Sequence, residues 1–154
     1  MSVILERVGF APDYVNYVES LDMQSRLHAE VAARARQNTI LLLEHEPVIT
    51  AGKRTEDHEY PTDRSTPVVK IDRGGKLTWH GPGQLTGYPI LKLPEPLDVV
   101  AYVRLLEEII MNVLAQLGIK GERVEGRSGV WILGDGITPD KKIAAIGIRV
   151  SKQT

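Results

Sequence analysis

Hydrophobic residues recur every three or four positions in two long stretches of the chain, a spacing that is typical of amphipathic helices. The first stretch follows Pro12, and we predict a helix from Asp13 to Gln37. The second stretch begins after Asp98, a favourable N-cap residue, and Gly118 lies where a C-terminal glycine is expected. Its apolar stripe comprises Val99, Val103, Leu106, Ile110, Val113, Leu114 and Leu117, and its polar face comprises Glu107, Glu108, Asn112 and Gln116. We therefore predict a helix that buries one side and leaves Glu107 in solvent.

Short apolar or alternating runs, bounded by Gly, Pro or charged residues, predict the strands. The candidate segments are Val3–Val8, Thr39–Glu44, Val48–Ala51, Pro67–Ile71, Lys76–Trp79, Leu85–Leu93, Glu122–Val124, Gly129–Leu133 and Lys142–Val150. The turn Asp72–Gly75 predicts that the fourth and fifth segments pair as a hairpin. Pro89 cannot donate a ladder hydrogen bond, which predicts an edge position or a bulge.

The balance of elements indicates the fold class. Seven or eight strands against two helices are too many for a sheet in which strands and helices alternate. We therefore predict an α+β fold, with a mixed β-sheet and packed helices. A length of 154 residues without repeats or linker-like segments predicts a single domain over residues 1–154.

Composition narrows the classes of protein further. Hydrophobic residues make up 42% and charged residues 25% of the chain, which is typical of a globular domain. The formal net charge of −1 gives no basis for binding nucleic acid or an anionic membrane, and neither is predicted as a partner. The first residues lack the pattern of a signal peptide and no apolar run is long enough to span a bilayer, so a cytoplasmic location is predicted.

The chain contains no cysteine. This excludes a disulfide framework, a Cys-based zinc site and a thiol nucleophile within these residues. The four histidines have no i,i+4 spacing, so no metal site is predicted. The glycines at 81, 83 and 87 form G-x-G-x-x-x-G and precede a predicted strand, which argues against a dinucleotide fingerprint.

Two segments concentrate residues that could carry chemistry. In the first, Arg73–Gln84, basic and polar residues alternate with four glycines, which let a backbone approach a ligand closely. From spacing alone, a solvated glycine-rich hairpin explains this segment equally well. In the second, Lys142 begins an apolar strand with small residues, although a solvated lysine at a turn is the simpler reading.

Together these segments resemble the lipoyl(octanoyl) transferase family. The matching residues are Arg73–Gln84 (RGGKLTWHGPGQ) and Lys142–Arg149 (KIAAIGIR), with shorter matches at 41–45, 50–52 and 126–131. The resemblance implies a fold like the catalytic domains of biotin and lipoate ligases. It also implies transfer of octanoyl from an acyl-carrier-protein thioester to an enzyme cysteine, and then to the ε-amine of a lysine on a lipoyl domain, in lipoate biosynthesis.

The resemblance also implies roles for individual residues, and no cofactor. The acyl pocket would be lined by Arg73, Gly74, Gly75, Lys76, Leu77, Thr78, Trp79 and His80, and its opposite wall would be formed by Ala145, Ile146 and Gly147. Lys142 would lower the pKa of the catalytic cysteine, because a nearby cation stabilises a thiolate. The partners would be octanoyl-acyl carrier protein and the lipoyl domains of lipoate-dependent complexes.

The sequence departs from the family pattern in one respect. The family's cysteine lies in a Pro-Cys-Gly segment beyond the lysine strand, and this sequence stops at Thr154. We expect a C-terminally truncated enzyme that is inactive as the chain stands; a naturally short, inactive relative is the competing explanation. Two other functions stay open, namely an ATP-dependent lipoate or biotin-type ligase of the same fold, and a non-catalytic module that binds an acyl chain or carrier protein.

Overall fold

The computed structural model describes residues 2–63, 65–152 and 154. The elements in chain order are β1 (Val3–Gly9), α1 (Tyr17–Ala32), β2 (Asn38–Leu43), β3 (Val48–Ala51), a short 3-10 helix (Asp57–Glu59), β4 (Val68–Lys70), β5 (Leu77–His80), β6 (Thr86–Ile90), α2 (Val99–Gln116), β7 (Glu122–Val124), β8 (Arg127–Ile132) and β9 (Lys141–Ala144). The chain divides into two compact units. The first unit runs to Pro94 and includes Arg149–Thr154, and the second covers Glu95–Ile148.

The first unit contains two mixed three-stranded sheets. In one, β2 lies between β1, with which it pairs in parallel, and β6, with which it pairs antiparallel. Helix α1 packs on this sheet, and the core is formed by Leu27, Val31, Leu41 and Ile90. In the other, β3 lies between parallel β4 and antiparallel β5. The second unit packs α2 against β8, the central strand of the antiparallel sheet β7-β8-β9. These mixed sheets with packed helices confirm the predicted α+β class.

Several local predictions are confirmed. The side chain of Asp98 caps α2 by accepting a 2.8 Å hydrogen bond from the Ala101 N–H. Gly118 follows the end of α2 with φ of 73°, the left-handed conformation that favours glycine. Pro89 lies on β6, which is an edge strand of its sheet.

Four predictions are wrong in instructive ways. Helix α1 begins at Tyr17 rather than Asp13, because Val15 forms an extended bridge with His45 and Asn16 provides the cap. Strands β4 and β5 do not form a hairpin, since β3 lies between them. The last strand ends at Ala144 rather than Val150, so Ala145, Ile146 and Gly147 follow it as irregular chain. Glu107, predicted on the polar face of α2, is completely buried.

Candidate active site

The predicted site residues fall into both units. Residues 73–80 lie in the first unit, and Lys142 with Ala145, Ile146 and Gly147 lies in the second. In the first group, Leu77, Thr78, Trp79 and His80 form β5, while Arg73, Gly74, Gly75 and Lys76 form the irregular segment that leads into it.

Arg73 is the centre of the first group. Its Nη2 donates hydrogen bonds of 2.8 Å to the hydroxyl oxygens of Thr50 and Thr78, which are register partners on β3 and β5. The same nitrogen is 3.3 Å from the Thr50 carbonyl oxygen, and Nη1 donates to the carbonyl of Gly74. No carboxylate in the described ranges lies within salt-bridge distance of this guanidinium. Burial lowers the pKa of Arg73, and the nearby Tyr17 opposes the effect. Because the pKa of an arginine lies so far above neutral pH, the guanidinium stays charged. The site thus holds a partly buried, uncompensated positive charge.

Close backbone packing explains the glycines in this segment. Gly75 has a φ of 92°, and its carbonyl oxygen would lie 2.6 Å from a Cβ added at Gly52. Backbone N–H groups of Lys53 and Arg54 donate to the carbonyls of Arg73 and Gly75, at 3.0 and 3.1 Å. The segment therefore lies directly on the chain that leaves β3, and this contact places Arg73 beside Thr50.

Lys76 points away from Arg73. Its Nζ is 2.6 Å from Glu59 Oε1 and 3.2 Å from Glu56 Oε1, and these bonds, that with Glu59 foremost, raise the pKa of Lys76. The structure ties Lys76 to the 3-10 helix on the surface, whereas Thr78 binds Arg73.

His80 has a defined tautomer. Gln84 Nε2 donates to the Trp79 carbonyl, so Gln84 Oε1 is the atom that accepts from His80 Nδ1, 2.7 Å away. Nδ1 therefore carries the proton and Nε2 presents a lone pair. Burial, as the main cause, lowers the pKa of His80. The imidazole stacks on Tyr17, with ring centroids 6.0 Å apart and an interplanar angle of 18°.

His45 lies beside His80, with the two rings edge to face. It is completely buried, and its Nδ1 donates to the Val15 carbonyl at 2.9 Å, which leaves Nε2 to accept from the Tyr88 hydroxyl at 2.7 Å. Burial lowers the pKa of His45 and raises that of Tyr88. The centroids of His45 and His80 lie 5.8 Å apart. Sequence reasoning assigned no role to His45, although it ends the family-matching segment 41–45 and follows a buried strand.

Trp79 and Gly81 form one wall of the same region. The indole covers Gly81 so closely that a Cβ there would lie 2.3 Å from Trp79 Cζ2. The indole itself is 45% exposed. The indole of Trp79 therefore offers a flat apolar face.

Lys142 in the second unit has a different environment. It is the register partner of Trp131 across β8 and β9, and its Nζ lies 4.6 Å from the centroid of the Trp131 ring. Burial, and then the charge of Arg127, lower the pKa of Lys142. Of the three residues predicted as the opposite wall, Ile146 is half-buried, and Ala145 and Gly147 are exposed.

Comparison with known proteins identifies the family. The family model described as the lipoyl protein ligase A/B catalytic domain matches residues 16–154. The chain belongs to this family. It is 63% identical over 147 residues to an octanoyltransferase from Leifsonia xyli subsp. xyli, and 57% identical over 150 residues to one from Renibacterium salmoninarum. These matches confirm the resemblance drawn from the two sequence segments.

The coverage of these matches is unequal. The alignments take in 96% and 97% of this chain, but only 65% and 64% of the two relatives. Among solved structures, a chain from a bi-partite lipoate protein ligase and its E2 lipoyl domain, from Thermoplasma acidophilum, has a TM-score of 0.60 at 18% identity. That match covers 93% of this chain and 54% of the other, and it shows a shared fold. The predicted likeness to lipoate ligase catalytic domains is confirmed.

Neither a metal site nor a membrane-spanning helix is found in the part of the chain that the structure describes. Within residues 2–63, 65–152 and 154, no cluster of His, Asp or Glu side chains could hold a metal ion. In the same part of the chain, no helix is long and apolar enough to cross a membrane.

Proposed function

We propose that this chain forms part of an octanoyltransferase that moves an octanoyl group from acyl carrier protein to a lysine of a lipoyl domain, in the cytoplasm. The observation that carries the proposal is the 63% identity, over 147 residues, to a protein named octanoyltransferase. The charge pattern of the site agrees with it, since Arg73 and Lys142, unlike Lys76, are left without a carboxylate partner among the residues that the structure describes.

The reaction has two acyl-transfer steps. A cysteine thiolate attacks the carbonyl carbon of the octanoyl thioester, a new thioester forms, and the carrier thiol leaves. The neutral ε-amine of the acceptor lysine then attacks the enzyme thioester, an amide forms, and the cysteine thiolate leaves. Both steps conserve electrons and start from an activated thioester, so the proposal requires neither ATP nor a redox cofactor. No cysteine occurs among the 154 residues. The proposal therefore takes the thiol from a part of the protein outside them, within a Pro-Cys-Gly segment.

The residues of this chain would bind and orient the acyl group. Arg73, Gly74, Gly75, Lys76, Leu77, Thr78, Trp79 and His80 are proposed as one wall, and Ala145, Ile146 and Gly147 as the other. The glycines allow close approach to the backbone, and the exposed indole of Trp79 supplies apolar surface for the chain. Lys142 would stabilise the thiolate as an ammonium and give its proton to the departing carrier thiol. As the neutral amine it would then take up the proton that the acceptor amine loses, which restores the ammonium beside the released cysteine thiolate.

The decisive experiment compares two adjacent lysines. We would express the complete reading frame and measure octanoyl transfer from octanoyl-acyl carrier protein to a lipoyl domain by intact mass. Lys142→Ala is expected to lower the rate at least about 100-fold, the usual range for loss of an acid–base group. Lys141→Ala, at the neighbouring position of β9, is the matched control and should retain the wild-type rate.

Four outcomes would contradict the proposal. Equal rates for the two variants would remove Lys142 from the mechanism. Robust turnover by the 154-residue chain alone would overturn the cysteine-dependent account. Transfer that requires ATP and free octanoate would indicate a ligase instead, and saturable binding of an octanoyl analogue without any covalent adduct would indicate a binding module.

A further inference from the structure

Lys142 makes a cation–π contact with Trp131, its register partner on the neighbouring strand. Its Nζ lies 4.6 Å from the centroid of Trp131, while the guanidinium carbon of Arg127 lies 5.2 Å from the same centroid. Arg127 and Trp131 lie four positions apart on β8, and the side chain of Arg127 reaches the ring of Trp131. One indole therefore contacts two cations.

The carboxylates around this ring are committed to other partners. Asp140 Oδ2 lies 3.4 Å from Arg127 Nη1, and Asp140 Oδ1 accepts from the Gly134 N–H. Glu122, the register partner of Trp131 on β7, pairs with Lys120 at 2.8 Å. In the described part of the chain, no carboxylate lies within 4.0 Å of Lys142 Nζ.

The carboxylate of Glu107, a residue of α2, is also committed to other partners. Glu107 is bound by Arg104, Arg123 and the backbone of Gly129. The only charged neighbour on β9 itself is another cation, Lys141. The environment of Lys142 is thus an aromatic face that it shares with Arg127.

We propose that Trp131 is the positioning residue for Lys142, holding its ammonium by a cation–π contact in place of a carboxylate, and that Arg127 on the same ring keeps the surroundings of that ammonium positive. The physical difference is large. A carboxylate would neutralise the lysine and stabilise its protonated form, whereas an aromatic face attracts the cation without cancelling its charge or accepting its proton. The lysine stays in place while its charge remains available to a second anion.

This proposal deepens the function proposed above, because a lysine that must stabilise a thiolate cannot also be neutralised by its own carboxylate. Burial and the like charge of Arg127 lower the pKa of Lys142, which agrees with this geometry. Trp131 therefore sets the position of the ammonium, while burial, and after it the charge of Arg127, disfavour its protonated form.

The test uses the 154-residue chain and does not depend on catalysis. NMR of the lysine ε-carbon and ε-proton signals, followed against pH, reports both position and protonation. In the wild type, the ε-protons of Lys142 should be shifted upfield by the indole ring current, and those of Lys141 should not. Trp131→Leu should abolish that shift, whereas Trp131→Phe should retain part of it and guards against a general loss of folding.

Arg127→Gln should separate the second part of the proposal. It is expected to keep the ring-current shift of Lys142 while raising its pKa, and to leave the titration of Lys141 unchanged. A wild-type Lys142 without an upfield shift would overturn the positioning role of Trp131. An unchanged Lys142 titration in Arg127→Gln would overturn the role of Arg127. Either result can be told apart from failure of the proposed function, which would appear as full octanoyl transfer by Lys142→Ala.

Discussion

Glu107 Oε1 accepts a 3.0 Å hydrogen bond from the backbone N–H of Gly129, and this bond joins the middle of α2 to β8. The other carboxylate oxygen accepts from Arg104 at 2.7 Å and from Arg123 at 3.1 Å. Burial opposes ionisation, but the hydrogen bonds from Arg104 and Gly129 outweigh it and lower the pKa of Glu107. The ionised carboxylate therefore ties together a helix and two strands of the second unit.

Removal of this carboxylate should destabilise the protein strongly. Glu107→Ala leaves a buried N–H and two guanidinium groups without their acceptor, and breaking a buried ion pair in this way costs about 3–5 kcal/mol. The matched control is Glu108→Ala. Glu108 is 52% exposed and pairs with Arg123, so its loss should cost less than about 1 kcal/mol. Urea unfolding of both variants measures the difference, and equal free energies of unfolding would contradict the role assigned to Glu107.

The misassignment of Glu107 shows what periodicity can and cannot reveal. The sequence pattern placed both ends of α2 correctly, because the capping signals of Asp98 and Gly118 are local. It could not show that a glutamate on the expected polar face meets a backbone N–H from a strand more than twenty residues later. A prediction from the hydrophobic pattern assumes that charged residues face water, and it fails where donors from two strands and from the helix itself converge on one carboxylate.

The strand order could not be predicted from the sequence for a related reason. Lys70 and Leu77 end and begin two strands joined by a glycine-rich turn, a pattern that predicts a hairpin. The actual neighbour of each is β3, which contributes Thr50 to the contact with Arg73. The Arg73–Gln84 segment predicts a site only through the family resemblance, since spacing alone fits a solvated hairpin equally well. Thr50 and His45, which contact Arg73 and His80, belong to the shorter matching segments, but the sequence does not show that distant strands bring them to these residues.

Two adjacent glycines provide a test of the Arg73 segment. Gly75 has a φ of 92° and a Cβ there would lie 3.0 Å from Arg73 Nη1, whereas a Cβ at Gly74 would have no heavy atom within 4 Å. Gly75→Ala should therefore cost about 1–2 kcal/mol of stability, the usual cost of a left-handed alanine, and should displace the guanidinium. Gly74→Ala should be close to neutral.

Both glycine variants can be compared by urea unfolding and by the affinity of the complete protein for an octanoyl analogue. We expect Gly75→Ala to weaken both and Gly74→Ala to weaken neither. Similar effects of the two substitutions would show that the backbone conformation at Gly75 does not set the position of Arg73.

The two buried histidines predict how stability depends on pH. Burial lowers the pKa of His45 and of His80 from 6.5 in the folded protein. As the pH falls below about 6.5, the unfolded chain therefore binds protons that the folded chain does not, and the free energy of unfolding decreases. The decrease should begin near neutral pH and end once the pH is below the folded pKa values. The lowered pKa of Glu107 adds a separate loss of stability, which begins as the pH falls towards the unfolded value of 4.5.

Substitution of His45 separates its contribution from that of His80. His45→Gln should make the free energy of unfolding depend less steeply on pH within about one pH unit of 6.5. The reason is that the substitution removes a group that takes up a proton in the unfolded state. His58→Gln is the matched control, since His58 is 76% exposed and lies in the short 3-10 helix on the surface. Urea titrations across this range measure both slopes. If His45→Gln keeps the wild-type slope while His58→Gln lowers it, burial of His45 is not the source of the acid sensitivity. The neutral pair of His45 and Tyr88 would then need another explanation.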